Sequence, residues 1–204
     1  MRCLRAMLLL AAWLPAAAAT LAGQRTVPSG TIGEGVLSFD GRATVGDFTG
    51  TTSAVTGEMT GGADLSAVRG WVEAPVNTLL TGSSKRDKDL NKSMESGKYP
   101  TIRFELTGVV PGATRGDTVD VTLLGTFRIH GVSRADSIPA TVILLPDTVR
   151  VRGRAPLNLK AYQIGGLSKA MGMLRMHEEI VVHLDLTFAS GQGEWHAARA
   201  ETLN

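Results

Sequence analysis

Apolar and polar residues alternate one by one over long stretches of this chain, the period of a strand with one dry face and one wet face. The clearest run is 149–159, VRVRGRAPLNL, where Val149, Val151, Gly153, Ala155, Leu157 and Leu159 share one phase and Arg150, Arg152, Arg154 and Asn158 the other. The same period turns Val119, Val121, Leu123, Phe127 and Ile129 inward in 117–130, and Ile180, Val182, Leu184, Leu186 and Phe188 inward in 178–188. Weaker alternation predicts strands at 36–46 (Leu37, Phe39, Ala43 and Val45 inward), 53–60 (Val55, Gly57, Met59) and 66–76 (Val68, Val72, Ala74, Val76). Two more are predicted at 101–109 (Ile102, Phe104, Leu106) and 137–145 (Ile138, Ala140, Val142, Leu144). Turn signals at Gly61-Gly62, Pro111-Gly112, Gly131 and Pro146-Asp147 separate most of these eight strands, and no long helical period is present to carry parallel crossovers. An antiparallel sheet of this size with one apolar face closes into a barrel or stacks as a sandwich.

One stretch breaks the period: KRDKDLNKSMESGKYPTIRF, residues 85–104. Ser84 followed three residues on by Asp87 has the form of a capping box, Gly97 suits a left-handed C-terminal cap, and Pro100 blocks continuation. The pattern predicts one short helix from Lys85 to Ser96, with Leu90 and Met94 four apart on its apolar side and Lys85, Lys88, Asp89 and Lys92 on its wet side. Mixed charge of this kind favours a solvated helix covering one end of a barrel over a binding patch.

The first 22 residues have the order of a secretory leader: Arg2 and Arg5, an apolar run from Ala6 to Leu14, Pro15, then small residues with cleavage positions after Ala19 or Ala22. This run is well short of the ~20 residues of a spanning helix. The expected organisation is therefore a leader over 1–22, a flexible segment over 23–35, a barrel domain over 36–189 and a mobile tail over 190–204, in a periplasmic or secreted protein. Loss of the leader removes two of the 21 Lys and Arg and none of the 19 Asp and Glu, bringing the formal charge to zero. A nucleic-acid partner, which calls for a basic excess, is thereby disfavoured. Cys3, the only cysteine, lies in the leader, so stability has to come from an apolar core without disulfides.

Four segments together resemble the YceI-like polyisoprenoid-binding family: PVNTLLTG at 75–82, KRDKDL at 85–90, GKYPTIRF at 97–104 and LLGTFRIHGVSR at 123–134. The similarity runs from about Val36 to Phe188, with two departures: Asp89 stands where many members carry His, and the Trp-x-Ile-Asp opening strand is reduced to TVPSGTIGEG. The resemblance implies an all-β fold, an eight-stranded antiparallel lipocalin-like β-barrel with one short helix covering an end, holding a long isoprenoid, an isoprenoid quinone or a similar amphiphilic lipid. No other cofactor and no metal are implied, and a homodimer is compatible with the sequence. Arg86 and Asn77, on or just before the helix, become the head-group candidates, Arg86 because a guanidinium offers several fixed donors.

An eight-stranded barrel has an interior that side chains can just fill or that holds one small ligand. The inward phase includes Gly41, Ala43, Gly57, Gly70, Ala74, Gly125, Gly153 and Ala155, a set that leaves room inside. Candidate cavity contacts are Leu37 and Phe39 on the first strand, Val72 and Phe104 on the next pair, and Val121, Leu123, Phe127 and Ile129 on 117–130. Val142, Val151, Ala155, Leu157 and Leu184 come from the last three strands. Met171 and Met173, in MGMLRM, are candidates for an adaptable portal.

Enzymatic readings lack a constellation. GVSRA and GLSKA approximate a nucleophile elbow, but that motif works at a strand-to-helix turn in a parallel sheet. His177 and His183 are six strand residues, about 20 Å, apart and cannot share an ion. His130 and His196 have no neighbour at ligand spacing and read as surface or strand-end residues. A non-enzymatic lipid carrier is the preferred class; an exported hydrolase or isomerase using the barrel as its pocket, and a filled-core interaction module, are the alternatives.

Overall fold

The computed structural model describes residues 26–44, 46–165, 168–169 and 174–190. The expected leader, most of the expected tail, and the portal residues Met171 and Met173 lie outside the described residues. The strands are β1 (Gly30–Gly41), β2 (Phe48–Thr52), β3 (Thr56–Thr60), β4 (Arg69–Pro75), β5 (Thr101–Arg115), β6 (Thr118–Ile129), β7 (Val132–Leu144), β8 (Thr148–Asn158), the two-residue β9 (Ser168–Lys169) and β10 (Leu174–Arg175), and β11 (Glu179–Ala189). One helix, α1 (Ser84–Ser93), lies between β4 and β5.

All ladders are antiparallel, and β11 pairs with β1 to close the sheet. β2 and β3 both lie along the same edge of β1 in a single continuous register, Leu37 opposite Thr52 and Thr31 opposite Glu58. They are one strand interrupted at 53–55, so the barrel has eight staves, as the alternation predicts. The short β9–β10 pair stands apart from it.

Local boundaries differ from the sequence reading in ways that have physical causes. β1 starts at Gly30, so residues 30–35 of the expected flexible segment form a strand held by β3 and β11. β2 was not predicted: FTGTT carries no apolar alternation, because the inner place of Gly50 is taken by the Phe39 ring opposite. Pro111-Gly112 is not a turn. β5 runs on through it to Arg115, with register irregularities at Leu106/Gly108 and Pro111/Thr114, bulges being the places where a strand accepts proline. The first of these bulges moves the inward phase from Leu106 to Val109. The reversal falls instead at Gly116-Asp117, with Gly116 at φ +62°. The Gly131 signal is correct: His130 and Gly131 both adopt positive φ in the two-residue β6–β7 turn.

The helix is shorter than predicted and differently capped. Ser83, not Ser84, occupies the N-cap and makes no side-chain cap bond; Asp87 is turned away from the cap, its Oδ1 accepting from Thr81 N (2.9 Å) and Thr81 Oγ1 (2.6 Å). The left-handed residue after the helix is Glu95, at φ 46°, rather than Gly97.

The core is the barrel interior. Val119, Val121, Leu123, Phe127 and Ile129 of β6, Val149, Val151, Ala155 and Leu157 of β8, and Ile180, Leu186 and Phe188 of β11 are all buried on one side of the wall, the phase read from sequence. The end distal to α1 is shut by the hairpin turns and by a 3-10 turn at Leu65–Ala67, whose Leu65 and neighbouring Val68 are buried.

Candidate functional site

The interior is not filled. A cavity of about 560 Å³ runs through the barrel, within the ~300–1,000 Å³ of small-molecule sites. Its wall is aliphatic and aromatic. Of the sequence candidates, Leu37, Phe39, Val72, Phe104, Leu123, Phe127, Ile129, Val142, Val151, Leu157 and Leu184 all line it. Val121 and Ala155 do not: both are buried, Ala155 at 1 % exposure, but packed within the wall. Alternation gives the face of a strand; it does not say which inward residue meets another side chain and which meets the void. Lining residues that the candidate set missed include Met59, Met94, Ile138, Tyr162, Ile164 and Met176. Ile138 and Met59 are in the inward phase of their strands, Met94 is on the helix's apolar side and Met176 ends the methionine-rich portal segment MGMLRM, so a signal exists for those four; Tyr162 and Ile164 sit outside the barrel strands, where no period marks them.

Small inward residues open this space indirectly. A Cβ on Gly50 would lie 2.5 Å from Phe39 Cζ and 3.0 Å from its Cδ1, and one on Gly41 would meet Phe48 Cε1 at 3.0 Å. Gly125 is overlain by the Phe104 ring, which in turn packs on Phe127 at 4.7 Å between centroids. The rings lie back against the wall in places where a side chain is missing.

Polar residues gather at the α1 end. Ser83, Lys85, Arg86, Asp89 and Ser93 line the cavity there, beneath them Leu90 and Met94. Arg86 stacks its guanidinium 4.4 Å from the centre of the Phe48 ring and donates from an η nitrogen to Thr81 O (3.2 Å). Phe48 meets Phe39 edge-on at 6.0 Å, so α1, the start of β2 and the inner face of β1 are linked through one arginine. Asn77, the second head-group candidate, is exposed and does not line the cavity. Its neighbour Thr78 is instead tied to Thr52 (2.7 Å) and Pro75 O (2.8 Å). On α1 the Asn91 amide is engaged locally, donating to Asp87 O at 2.9 Å.

His130 stands at a strand end, one of the two places expected for it, but is not at the surface. It is buried at the β6–β7 turn, donates from Nδ1 to Tyr162 O (3.1 Å), meets the Tyr99 ring edge-on with centroids 4.7 Å apart, and has Nε2 3.4 Å from a Glu95 carboxylate oxygen. It joins the turn after α1 to the 3-10 turn Leu159–Tyr162. Burial pushes the Tyr162 phenol up from its ordinary value; the charge of Asp136 adds to this and that of Arg134 opposes it.

The arginine run of β8 is a solvated, paired face. Arg150 grips Asp185 with two bonds (2.7 and 2.8 Å) and Arg152 adds a third (3.0 Å). Chiefly through Arg150, the Asp185 carboxyl is held below the usual range. His183 donates from Nε2 to Asp40 (2.8 Å) on the same outer surface; this bond, then that from Thr49, lowers the Asp40 carboxyl. These residues face away from the cavity.

Comparison with known proteins agrees with this architecture. The family model described as the YceI-like domain matches residues 32–188. Burkholderia cenocepacia BcnA superposes with a TM-score of 0.64 at 14% identity, covering 75% of this chain and 95% of that one. A polyisoprenoid-binding domain from Saccharophagus degradans implicated in plant cell wall breakdown also gives 0.64 at 14% identity, over 81% and 99%. The Campylobacter jejuni YceI protein gives 0.50 at 13% identity, over 61% and 73%. Among curated protein sequences, none matches.

Proposed function

The chain belongs to the YceI-like family, and on that premise we propose that it is a non-enzymatic binder of one long isoprenoid or similar amphiphilic lipid, carried with its chain in the barrel and its polar end at α1. The observation that carries this reading is the cavity itself: about 560 Å³ with an almost wholly apolar wall, and a cluster of polar lining residues, Ser83, Lys85, Arg86, Asp89 and Ser93, on α1 or the residue before it, with Ser38 and Glu58 the polar residues that the strands add. Burial of a hydrocarbon chain at ~25 cal/mol per Å² supplies binding energy without any directed group, so a site built this way selects by length and shape. The polyisoprenoid-binding character of the Saccharophagus degradans domain supports the same class of ligand. We assign Arg86, stacked on Phe48 beside the cavity, to orient the head. Export through the leader at 1–22, into the periplasm or beyond, completes the proposal, and storage or transfer of an isoprenoid or isoprenoid quinone is the role it serves.

A hydrolase or isomerase would need polar groups converging on one point inside the barrel. The polar lining residues of α1 are instead spread along the helix at one end.

Protein purified from its own host, analysed by native mass spectrometry and solvent extraction, is expected to release a long-chain lipid at close to one per chain. An empty protein that also takes up no prenyl alcohol or quinone in vitro would sink the proposal.

A further inference from the structure

The β7–β8 ladder starts beside its hairpin, Leu144 opposite Val149, and stops at Ala140 opposite Gly153. Beyond that point residues 132–139 of β7 stay paired with β6, and residues 154–158 of β8 stay paired with β11, but among the described residues no ladder joins the two segments to each other. The closed barrel is therefore split along one seam in its α1-proximal half. Five residues of strand make that seam about 17 Å long.

The sequence builds the split. Continuing the register would set Pro139 opposite Arg154 and Ser137 opposite Pro156. Proline has no N–H for a ladder and is tolerated in sheets at edges and bulges. The N–H of Ser137, across from Pro156, is already taken by its neighbour, donating to Asp136 Oδ1 at 2.7 Å. Each side of the seam thus lacks a backbone donor at the place where zipping would need one.

The cavity lies directly behind. Ile138 on β7 and Leu157 on β8 flank the seam and line the cavity, both buried. On the outer surface Ser137, Pro139, Arg154 and Pro156 are exposed, and a shallow groove between Pro139, Thr141, Arg152 and Arg154 marks where the ladder ends. The α1 end, by contrast, is bolted by the Arg86–Phe48 stack, by Asp87 on both donors of Thr81, and by the backbone bond from Val76 N to Pro100 O (2.8 Å).

We propose that the lipid chain enters and leaves the cavity sideways, through the seam between residues 132–139 of β7 and 154–158 of β8, rather than past α1. The inference rests on the lipid-binding reading above. Parting the seam breaks mainly apolar contacts that an incoming chain replaces in kind, with the His130–Tyr162 O bond a polar tie at its α1 end; lifting α1 breaks several hydrogen bonds that a hydrocarbon cannot replace.

The test is an exchange measurement on the full chain carrying Cys3→Ser, with a dansylated geranylgeranyl amine as probe. Cysteines at Ser137→Cys and Pro156→Cys are joined by a short bifunctional thiol reagent, with Thr141→Cys and Arg152→Cys, which face each other within the ladder, as control. The seam bridge is expected to slow probe uptake and release at least tenfold with equilibrium occupancy unchanged, while the control bridge leaves the rates as they were. A second variant, Asp136→Ala with Pro156→Val, restores a donor on each side and is expected to slow exchange without a linker, so the outcome does not depend on the bridged chain folding. Normal rates in both seam variants, with the probe bound, would overturn the lateral route and leave the lipid-binding reading standing. Absence of probe binding in the parent would remove that reading and this inference together.

Discussion

Val151 and Ala155 lie four residues apart on the inner face of β8, yet only Val151 meets the cavity. Replacing each by Trp separates a hollow barrel from a filled one. At Ala155, which is 1 % exposed and opposite Val182, the indole has to displace packed neighbours, and overpacking of that kind costs ~1–3 kcal/mol or more. At Val151 the indole projects into the void. It buries on the order of 100 Å² more apolar surface than the isopropyl group, roughly 2.5 kcal/mol of favourable transfer. Loss of side-chain freedom and an imperfect rotamer each take back ~0.5–1.5 kcal/mol. The net change for Val151→Trp in the ligand-free protein is thus between ~1.5 kcal/mol stabilising and ~0.5 kcal/mol destabilising, with the cavity occupied and prenyl probe binding lost. Urea unfolding of both variants beside probe titration provides the measurement. If Val151→Trp costs as much as Ala155→Trp, the space is not there and the cavity argument fails.

Arg86→Ala removes the stack on Phe48 and the bond to Thr81, and is expected to lower stability by ~1–2 kcal/mol and weaken binding of a polar-headed prenyl probe more than that of a plain alkane; equal weakening of both in a titration would deny it a head-group role. Asp87→Ala strands two donors of Thr81 and should cost ~1–3 kcal/mol in urea unfolding, with Asp87→Asn recovering part of it through the acceptor it retains; a loss below ~0.5 kcal/mol would mean the contact is solvated away. Asp185, mainly through Arg150, has a lowered carboxyl, so it contributes stability above the ordinary carboxylate value of ~3.9 and loses it as pH falls through its lower folded value. Asp185→Asn is accordingly expected to melt earlier than the parent at pH 7, by an amount kept to ~0.5–1 kcal/mol because the group is partly exposed, with the gap closing in acid; a gap that widens on acidification would reverse the assignment. Gly50→Ala drives the Phe39 ring off the wall and should cost ~1–3 kcal/mol and reduce probe affinity, whereas in a Phe39→Ala background the same change should cost little; a double-mutant cycle with no coupling would refute the seating of that ring.

Strand phase was legible wherever both faces of the wall differ in polarity. β6, β8 and β11 alternate without interruption, and their inward residues are those read from the sequence. β5 defeats the same reading at its bulge, since one extra residue moves every later side chain to the other face and a periodic pattern carries no mark of where that happens. β2 was invisible for another reason: its inner position is a glycine whose space is filled from β1, so the apolar group that makes it a strand is written eleven residues earlier, at Phe39. The helix was legible in outline and not in its caps. Asp87 three residues after Ser84 fits a capping box as text, but Thr81 offers two donors to the same carboxylate oxygen, and the tertiary partner wins over the local one. Arg86 was found through resemblance; its stack on Phe48 joins residues 38 positions apart and has no sequence signature.

A count of small inward residues explains less of the cavity than their positions do. A stave with glycine at an inner site would ordinarily draw its neighbours together, and eight strands are few enough for side chains to close the interior completely. Here three inward glycines stand where a phenylalanine is the cross-strand or diagonal neighbour: Gly50 beneath Phe39, Gly41 beside Phe48, Gly125 beneath Phe104. Each ring lies flat over a missing side chain, covers its backbone from within, and leaves the barrel axis free. The wall that results is smooth and nearly without hydrogen-bonding groups, which suits a hydrocarbon whose contacts along its length are interchangeable and gives a polar substrate nothing to orient it. Beyond length and shape, selectivity for a particular lipid has the head to act on, and most of the polar lining groups able to act on it, Arg86 foremost, are on α1, above the seam through which the chain would slide.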